Sequence, residues 1–293
     1  GNHFLELQVV EEVLSTPEAE RWGLRAGQVV VMYHADSGRL GSLVGRLYAF
    51  RSKNTWRGRF LEMRYKTAYH LSQAHSLQEA YRRGTAYFLP RRHVLLEASS
   101  PEGSRALLGQ AVSTNYAFGN RVAILAALTD GLKKVWGSGS RTPSLLYDVT
   151  HNSIRPENVD GEQLWVHRHN TSRALPAGHP ALAGSPFFET GQPLLLPGTH
   201  RNHSYLCVAS SGVEQSLYSV DHGAGRSAQR LRGAGPDKAS VTRVYDFSRG
   251  WVGDQAHWSD DGLDEVLNVL RQANLALPVA RLRPLAVLKD LPG

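Results

Sequence analysis

The sequence predicts an α+β fold: one domain over residues 1–293, with mixed sheets, a long helix near 101–136 and functional loops converging on one cleft. Three observations carry it. Strand-like apolar runs and helical patterns interleave irregularly, unlike the steady alternation of a parallel βα array. Hydrophobic residues make up 41% of 293 positions, enough for a substantial core. Segments bearing Gly, His and Asn stand far apart in the chain, and they make chemical sense only if the fold gathers them.

In chain order, residues 3–10 read as a strand, and residues 28–34 (Gln-Val-Val-Val-Met-Tyr-His) as a buried strand ending in His34. A Gly-rich turn, residues 35–41, follows. Residues 45–95 are basic and aromatic, compatible with helical spacing over 60–84. Their arginines fit either a solvated helix face or a surface turned toward nucleic acid. Ser100-Pro101-Glu102 has the make-up of a helix start, and the apolar spacing carries that helix to about Trp136. Gly-Ser-Gly-Ser at 137–140 breaks the chain. Strands are expected at about 144–150, 162–168 and 204–209, then a loop-rich stretch over 210–260. A short amphipathic helix at 263–274 and an apolar strand at 279–289, ending in Lys289, close the order.

Lys and Arg number 33 against 26 Asp and Glu, a net charge of +7 that favours a polyanionic partner such as nucleic acid. The single cysteine, Cys207, rules out an internal disulfide framework and reads as a core thiol in a reducing, cytoplasmic setting. No run approaches the ~20 apolar residues of a membrane span. The opening Gly1-Asn2-His3-Phe4 carries no methionine and reads as a fragment or a processed piece.

His222-Gly-Ala-Gly-Arg226 has the composition of a nucleotide site. Gly223 and Gly225 let backbone approach a phosphate closely, and Arg226 offers a fork of donors. His222 would face the phosphorus, either binding it or attacking it. His3, His34 and His151 begin or end apolar strands and suggest a site for Zn or Mn. Arg39, Arg121, Arg168, Arg173 and Arg226 are the expected nucleic-acid phosphate contacts of the cleft.

These motifs, in this order, resemble the RtcB family of RNA ligases. The resemblance runs from Gly1-Asn-His-Phe-Leu-Glu6 through Ser100-Pro-Glu-Gly103, Asn115-Tyr-Ala-Phe-Gly-Asn-Arg121, Tyr147-Asp-Val-Thr-His-Asn152 and Val166-His-Arg168. It continues through Pro197-Gly198, Ser204-Tyr205 and His222-Gly-Ala-Gly-Arg226 to the closing strand at 279–289. It implies a GTP- and Mn2+-dependent ligase. Such an enzyme joins RNA ends bearing a 2′,3′-cyclic phosphate or 3′-phosphate to 5′-hydroxyl ends, in RNA repair or tRNA splicing. By that resemblance His222 carries GMP as a phosphoramidate, and His3, His34 and His151 bind metal. The guanylate contacts are then Asn2, Phe4, Glu6, Asn152, Pro197, Gly198, Ser204, Gly223, Ala224, Gly225 and Lys289. An activating protein partner is also compatible with it.

Several segments depart from the family pattern. In the family an Asp-x-x-Cys segment upstream of the Asn-His-Phe motif supplies anionic metal ligands, and this sequence starts after that point. The expectation is therefore an N-terminally truncated, divergent member that alone holds one metal or none. Arg39 is shifted by one place in its turn, and Thr199-His-Arg-Asn-His203 is bulkier and more basic than usual. Two other readings remain: a non-catalytic nucleotide- or RNA-binding relative, and a metal-dependent phosphoesterase using the same histidines.

Overall fold

The computed structural model of the chain describes residues 3–48, 56–89, 94–137, 139, 142–159, 161–222, 236–258 and 262–290. Two compact units are distinguished: Gly1–His34 with Pro143–Gly293, and Ala35–Thr142.

The first unit opens with β1 (Phe4–Val13), the short helix α1 (Thr16–Arg21) and β2 (Val29–His34). The second unit holds four helices: α2 (Arg39–Tyr48), α3 (Trp56–Ser72), α4 (Leu77–Tyr87) and α5 (Pro101–Trp136). The chain then returns to the first unit with β3 (Asn152–Val159), β4 (Glu162–His169), β5 (Thr171–Arg173), β6 (Pro193–Leu196), β7 (Ser204–Ala209) and β8 (Ser219–Asp221). It ends with β9 (Pro236–Asp246), β10 (Gly250–Trp258), α6 (Leu263–Gln272) and β11 (Ala276–Lys289).

A seven-stranded sheet runs in the order β10-β9-β11-β1-β2, with β7 also on β11 and β6 on β7. Strand β11 is antiparallel to β1 along most of its length. Its other edge is divided: the first half pairs with β7 and the last four residues pair parallel with β9. Its register slips beside Pro278 and Pro284. A proline has no N–H to give the ladder, so a bulge there keeps the neighbouring bonds intact. The alternation of β7 sends Tyr205, Cys207 and Ala209 to a cluster with α6, and Leu206 and Val208 to one with Val10, Trp22 and Met32. Both faces being covered, the strand reads as an unbroken apolar run.

The long helix spans Pro101–Trp136 as expected. Ser100 caps it, accepting from the Gly103 N–H at 3.0 Å, and Gly137 ends it at φ +85°. The helical pattern over 60–84 divides into α3 and α4, because Ser76 caps a new start by accepting from Glu79 N–H at 3.1 Å. Two expectations are corrected. Residues 144–150 form no strand; they run as coil, with Leu146 packed on the Val10 cluster and Tyr147 bonded to Gln192. Within 210–260, β9 and β10 form a long hairpin where a loop was expected, its turn closed by Asp246 accepting from the Ser248 and Arg249 N–H groups. Among the described residues no helix is long and apolar enough to cross a membrane.

Candidate active site

Backbone pairing brings four histidines of the first unit together. The β1–β2 ladder sets Phe4 opposite His34, so His3 lies beside His34 with ring centroids 5.6 Å apart. The β3–β4 hairpin sets Asn152 opposite His169, and the β5–β8 pair sets Thr171 opposite Asp221. These two pairings meet at Asn170, which adopts a left-handed φ of +54°. Its N–H donates to Asn152 Oδ1 at 3.1 Å, and its carbonyl accepts from the His222 N–H at 2.9 Å. His151 and His222 thereby stack at 4.4 Å, and His34 stands 4.9 Å from His151.

One nitrogen from each of His34, His151 and His222 lies within 4.8 Å of the others. Imidazole is a borderline donor, and a half-buried trio at this spacing fits one divalent transition ion. His222 Nδ1 is 3.0 Å from the Leu195 carbonyl, so Nδ1 carries the proton and Nε2 keeps the lone pair. Burial, then the neighbouring His34, pushes the His222 pKa down to about 4, with the Leu195 carbonyl opposing. The ring is therefore neutral, and a ligand or nucleophile, at physiological pH.

A second cluster adjoins this ladder. Period two along β1 turns Glu6 and Gln8 onto the buried face and leaves Leu5 and Leu7 half-buried, the reverse of ordinary patterning. Gln8 Nε2 donates to Glu6 Oε1 at 2.6 Å and to Ser204 Oγ at 3.1 Å. Ser204 Oγ also accepts from the Gly198 N–H at 3.0 Å, tying the loop after β6 to the same point. Gly198 is required there, because a Cβ would strike the His203 carbonyl. Burial raises the Glu6 pKa from 4.5 to about 7, against the Gln8 hydrogen bond and Lys289. Lys289 is in turn lowered by burial, with Glu6 opposing. Its Nζ lies 3.5 Å from His200 Nδ1, and His200 Nε2 meets Gln255 Oε1 at 2.6 Å.

The structure thus gathers His3, His34, His151 and His222, and separately Glu6, Ser204, Gly198 after Pro197, and Lys289. Phe4 presents its edge to His34 at 5.9 Å, and Asn152 is held by Asn170. Asn2, Gly223, Ala224, Gly225 and Arg226 lie outside the described residues.

The arginines divide. Arg168 is buried, with its guanidinium forked on Glu157 at 2.6 and 2.8 Å and bonded to Ser219 Oγ and the Leu217 carbonyl. This geometry favours a brace between β4 and β8 over the expected phosphate contact. Arg173 is half-buried, and burial and Arg155 lower its pKa. In the second unit Arg39 is exposed, whereas Arg121 is buried, donating to the Ala35 carbonyl at 3.2 Å and lying 4.5 Å over the Phe118 ring. His203, a histidine of the unusual loop, pairs with Glu11 at 2.8 Å. Sequence reasoning missed Gln8, Asn170, His200 and Gln255. Period two from Glu6 would have found Gln8; the others carry no local signal.

The chain resembles known proteins along almost its whole length. A tRNA-splicing ligase RtcB of Pyrococcus horikoshii is 29% identical over 99% of this chain, which covers 32% of that protein. A tRNA-splicing ligase RtcB of Aeropyrum pernix is 30% identical over 99% of the chain, with 58% of its own length covered. An RNA-splicing ligase RtcB of Mycobacterium bovis is 30% identical over 99%, with 63% covered. The chain therefore spans between about a third and under two thirds of these relatives' lengths. With the family model described as tRNA-splicing ligase RtcB matching residues 1–290, the chain belongs to the RtcB family.

Proposed function

We propose that this protein is an RNA ligase that uses GTP and Mn2+, with His222 as the group that carries GMP. The observation that carries this reading is the His222 ring itself: neutral, with Nδ1 on a carbonyl at 3.0 Å and Nε2 left as the nucleophile, amid three other histidines. Nε2 attacks the α-phosphorus of GTP; the N–P bond forms, the α–β bridging P–O bond breaks, and pyrophosphate leaves. The Leu195 carbonyl accepts from Nδ1–H and stabilises the cationic ring that results. GMP then passes to an RNA 3′-phosphate, freeing the ring. The 5′-hydroxyl of a second end attacks that phosphate and releases GMP.

Of the His34, His151 and His222 trio, His34 and His151, with His3 beside them, would hold the ion, so that His222 Nε2 stays open to the phosphorus. When bound it neutralises triphosphate charge and orients the in-line attack. Glu6, when ionised, accepts from guanine N1–H and N2–H, and Lys289 offsets its charge. Gly198 and Ser204 shape the wall beside them. Gly223, Ala224, Gly225 and Arg226 follow the nucleophile in sequence and suit the phosphates, with Asn2, Phe4, Asn152 and Pro197 lining the nucleotide. Arg39, Arg173 and Arg226 are the RNA contacts this reading keeps. RNA with a 3′-phosphate or cyclic phosphate end and a 5′-hydroxyl end is the substrate, and the buried lone thiol suits the cytoplasm.

The test is incubation of the full-length protein with α-labelled GTP and Mn2+, then denaturing electrophoresis. An acid-labile GMP adduct on the wild type, absent in His222→Asn, is expected. No adduct with tight RNA binding would favour a non-catalytic relative, and phosphate release without an adduct a phosphoesterase; either overturns the reading.

A further inference from the structure

Helix α3 is built inside out. Its buried stripe is Glu62, Lys66 and His70, at helical spacing of four. That stripe is well partnered. His70 Nε2 donates to the Leu47 carbonyl at 2.8 Å, and Nδ1 accepts from Arg83 at 3.1 Å. Arg83 pairs with Glu102, Arg46 lies 3.8 Å from Glu62, and the Lys66 ammonium sits 5.4 Å from the Phe88 ring. Such a network locks the rotation of the helix, because turning it outward would break several buried polar contacts at once.

The outward face consequently carries aromatic rings. Trp56 is 81% exposed and Phe60 56% exposed, one helical turn apart. Their planes are within 13° of parallel at 6.4 Å between centroids, and the Arg64 guanidinium lies 5.8 Å over Phe60. Arg57, Arg59 and Arg64 are exposed, while the single acid of the helix, Glu62, is buried. Every exposed ion of this helix is therefore a cation. Scattered exposed apolar side chains are ordinary, but adjacent, near-parallel exposed rings form a contiguous patch of the kind that marks a binding surface. A face combining flat rings with cations alone complements a ligand that combines flat rings with repeated negative charge.

We propose that Trp56, Phe60 and Arg64 form a stacking platform for unpaired bases of single-stranded RNA, with Arg57, Arg59 and Arg64 on its phosphates. The choice of RNA over DNA rests on the ligase reading; the platform itself does not. Every base has a π-face, so stacking on Trp and Phe is sequence-tolerant, and guanidinium adds a cation–π contact.

The test measures fluorescence anisotropy of a labelled single-stranded oligoribonucleotide ending in hydroxyls, which cannot enter a joining reaction. Trp56→Ala with Phe60→Ala should weaken binding about 5- to 150-fold, the range for losing one stacked base, with an unchanged salt slope. Trp56→Phe should retain most of the affinity. Arg57→Gln with Arg64→Gln should instead flatten the slope, by about 0.7 for each phosphate no longer neutralised. Helical circular dichroism checks that the variants fold. Unchanged affinity in the double aromatic variant overturns the proposal. So does a change in sedimentation without a change in RNA affinity, which would make the face a protein interface. GMP adduct formation should be unaffected by these substitutions, so failure of the ligase reading and failure of this one are separable.

Discussion

Glu6 sits where a carboxylate is hard to ionise, and that makes it a pH-dependent reader. Burial lifts its pKa from 4.5 to about 7, so across that interval the folded chain holds a proton that the unfolded chain releases. Stability from this group is therefore greatest below the lower value and falls as pH rises through the upper one, by about 3 kcal/mol at most. Subtracting urea-unfolding profiles of Glu6→Gln from the wild type should show that fall; parallel profiles would refute it. On the proposed ligase reading guanine pairs with the ionised form, so GMP affinity by calorimetry should rise with pH with a midpoint near 7, and Glu6→Gln should weaken it and remove the dependence. The histidines were legible as residues because each flanks a strand, and His222 also precedes two closely spaced glycines in the sequence. Gln8 was not, because a polar residue in an apolar strand reads as its wet side until a buried acid two places away shows which side is dry.

Two pairs of short strands bring His222 to His151, and Arg168 braces them. Its side chain is 1% exposed, forked on Glu157 and bonded to the turn that leads into β8. Arg168→Ala leaves the half-buried Glu157 without its fork and should cost about 3 kcal/mol by urea unfolding, the low end of the range for a buried pair. Arg168→Met with Glu157→Leu should recover much of that loss. A cost below about 1 kcal/mol would place the pair among weak surface bridges. At this scale legibility followed unbroken apolar runs and capping. The strands at 29–34, 204–209 and 276–289 and the helix from Ser100 were readable from local pattern. Residues 144–150 are also strand-like in composition, but a strand needs a ladder partner, and composition does not show one. The β9–β10 hairpin was hidden for the opposite reason: its strands mix Gly, Asp and Arg into the alternation, as an edge strand does.

Over the whole molecule, the proposed RNA partner would meet a net charge of +7 before any base is read. Affinity for single-stranded RNA should fall linearly in log–log form with salt, at about 0.7 per neutralised phosphate, as titration at several ionic strengths would show. A flat response would mean that the excess charge takes no part in binding. The same large scale governs how the molecule is made. Phe4 pairs with His34 on one side and with Lys289 on the other. On a ribosome the first of these partners follows within moments, whereas the second is synthesised last among the described strands. Throughout that interval β1 presents a row of unmatched N–H and C=O groups to any strand it meets. Such late, long-range closure slows folding and exposes intermediates to mispairing. Until β11 is made that edge stays open to mispairing, and Glu6 and Lys289 are brought together only when β11 joins β1.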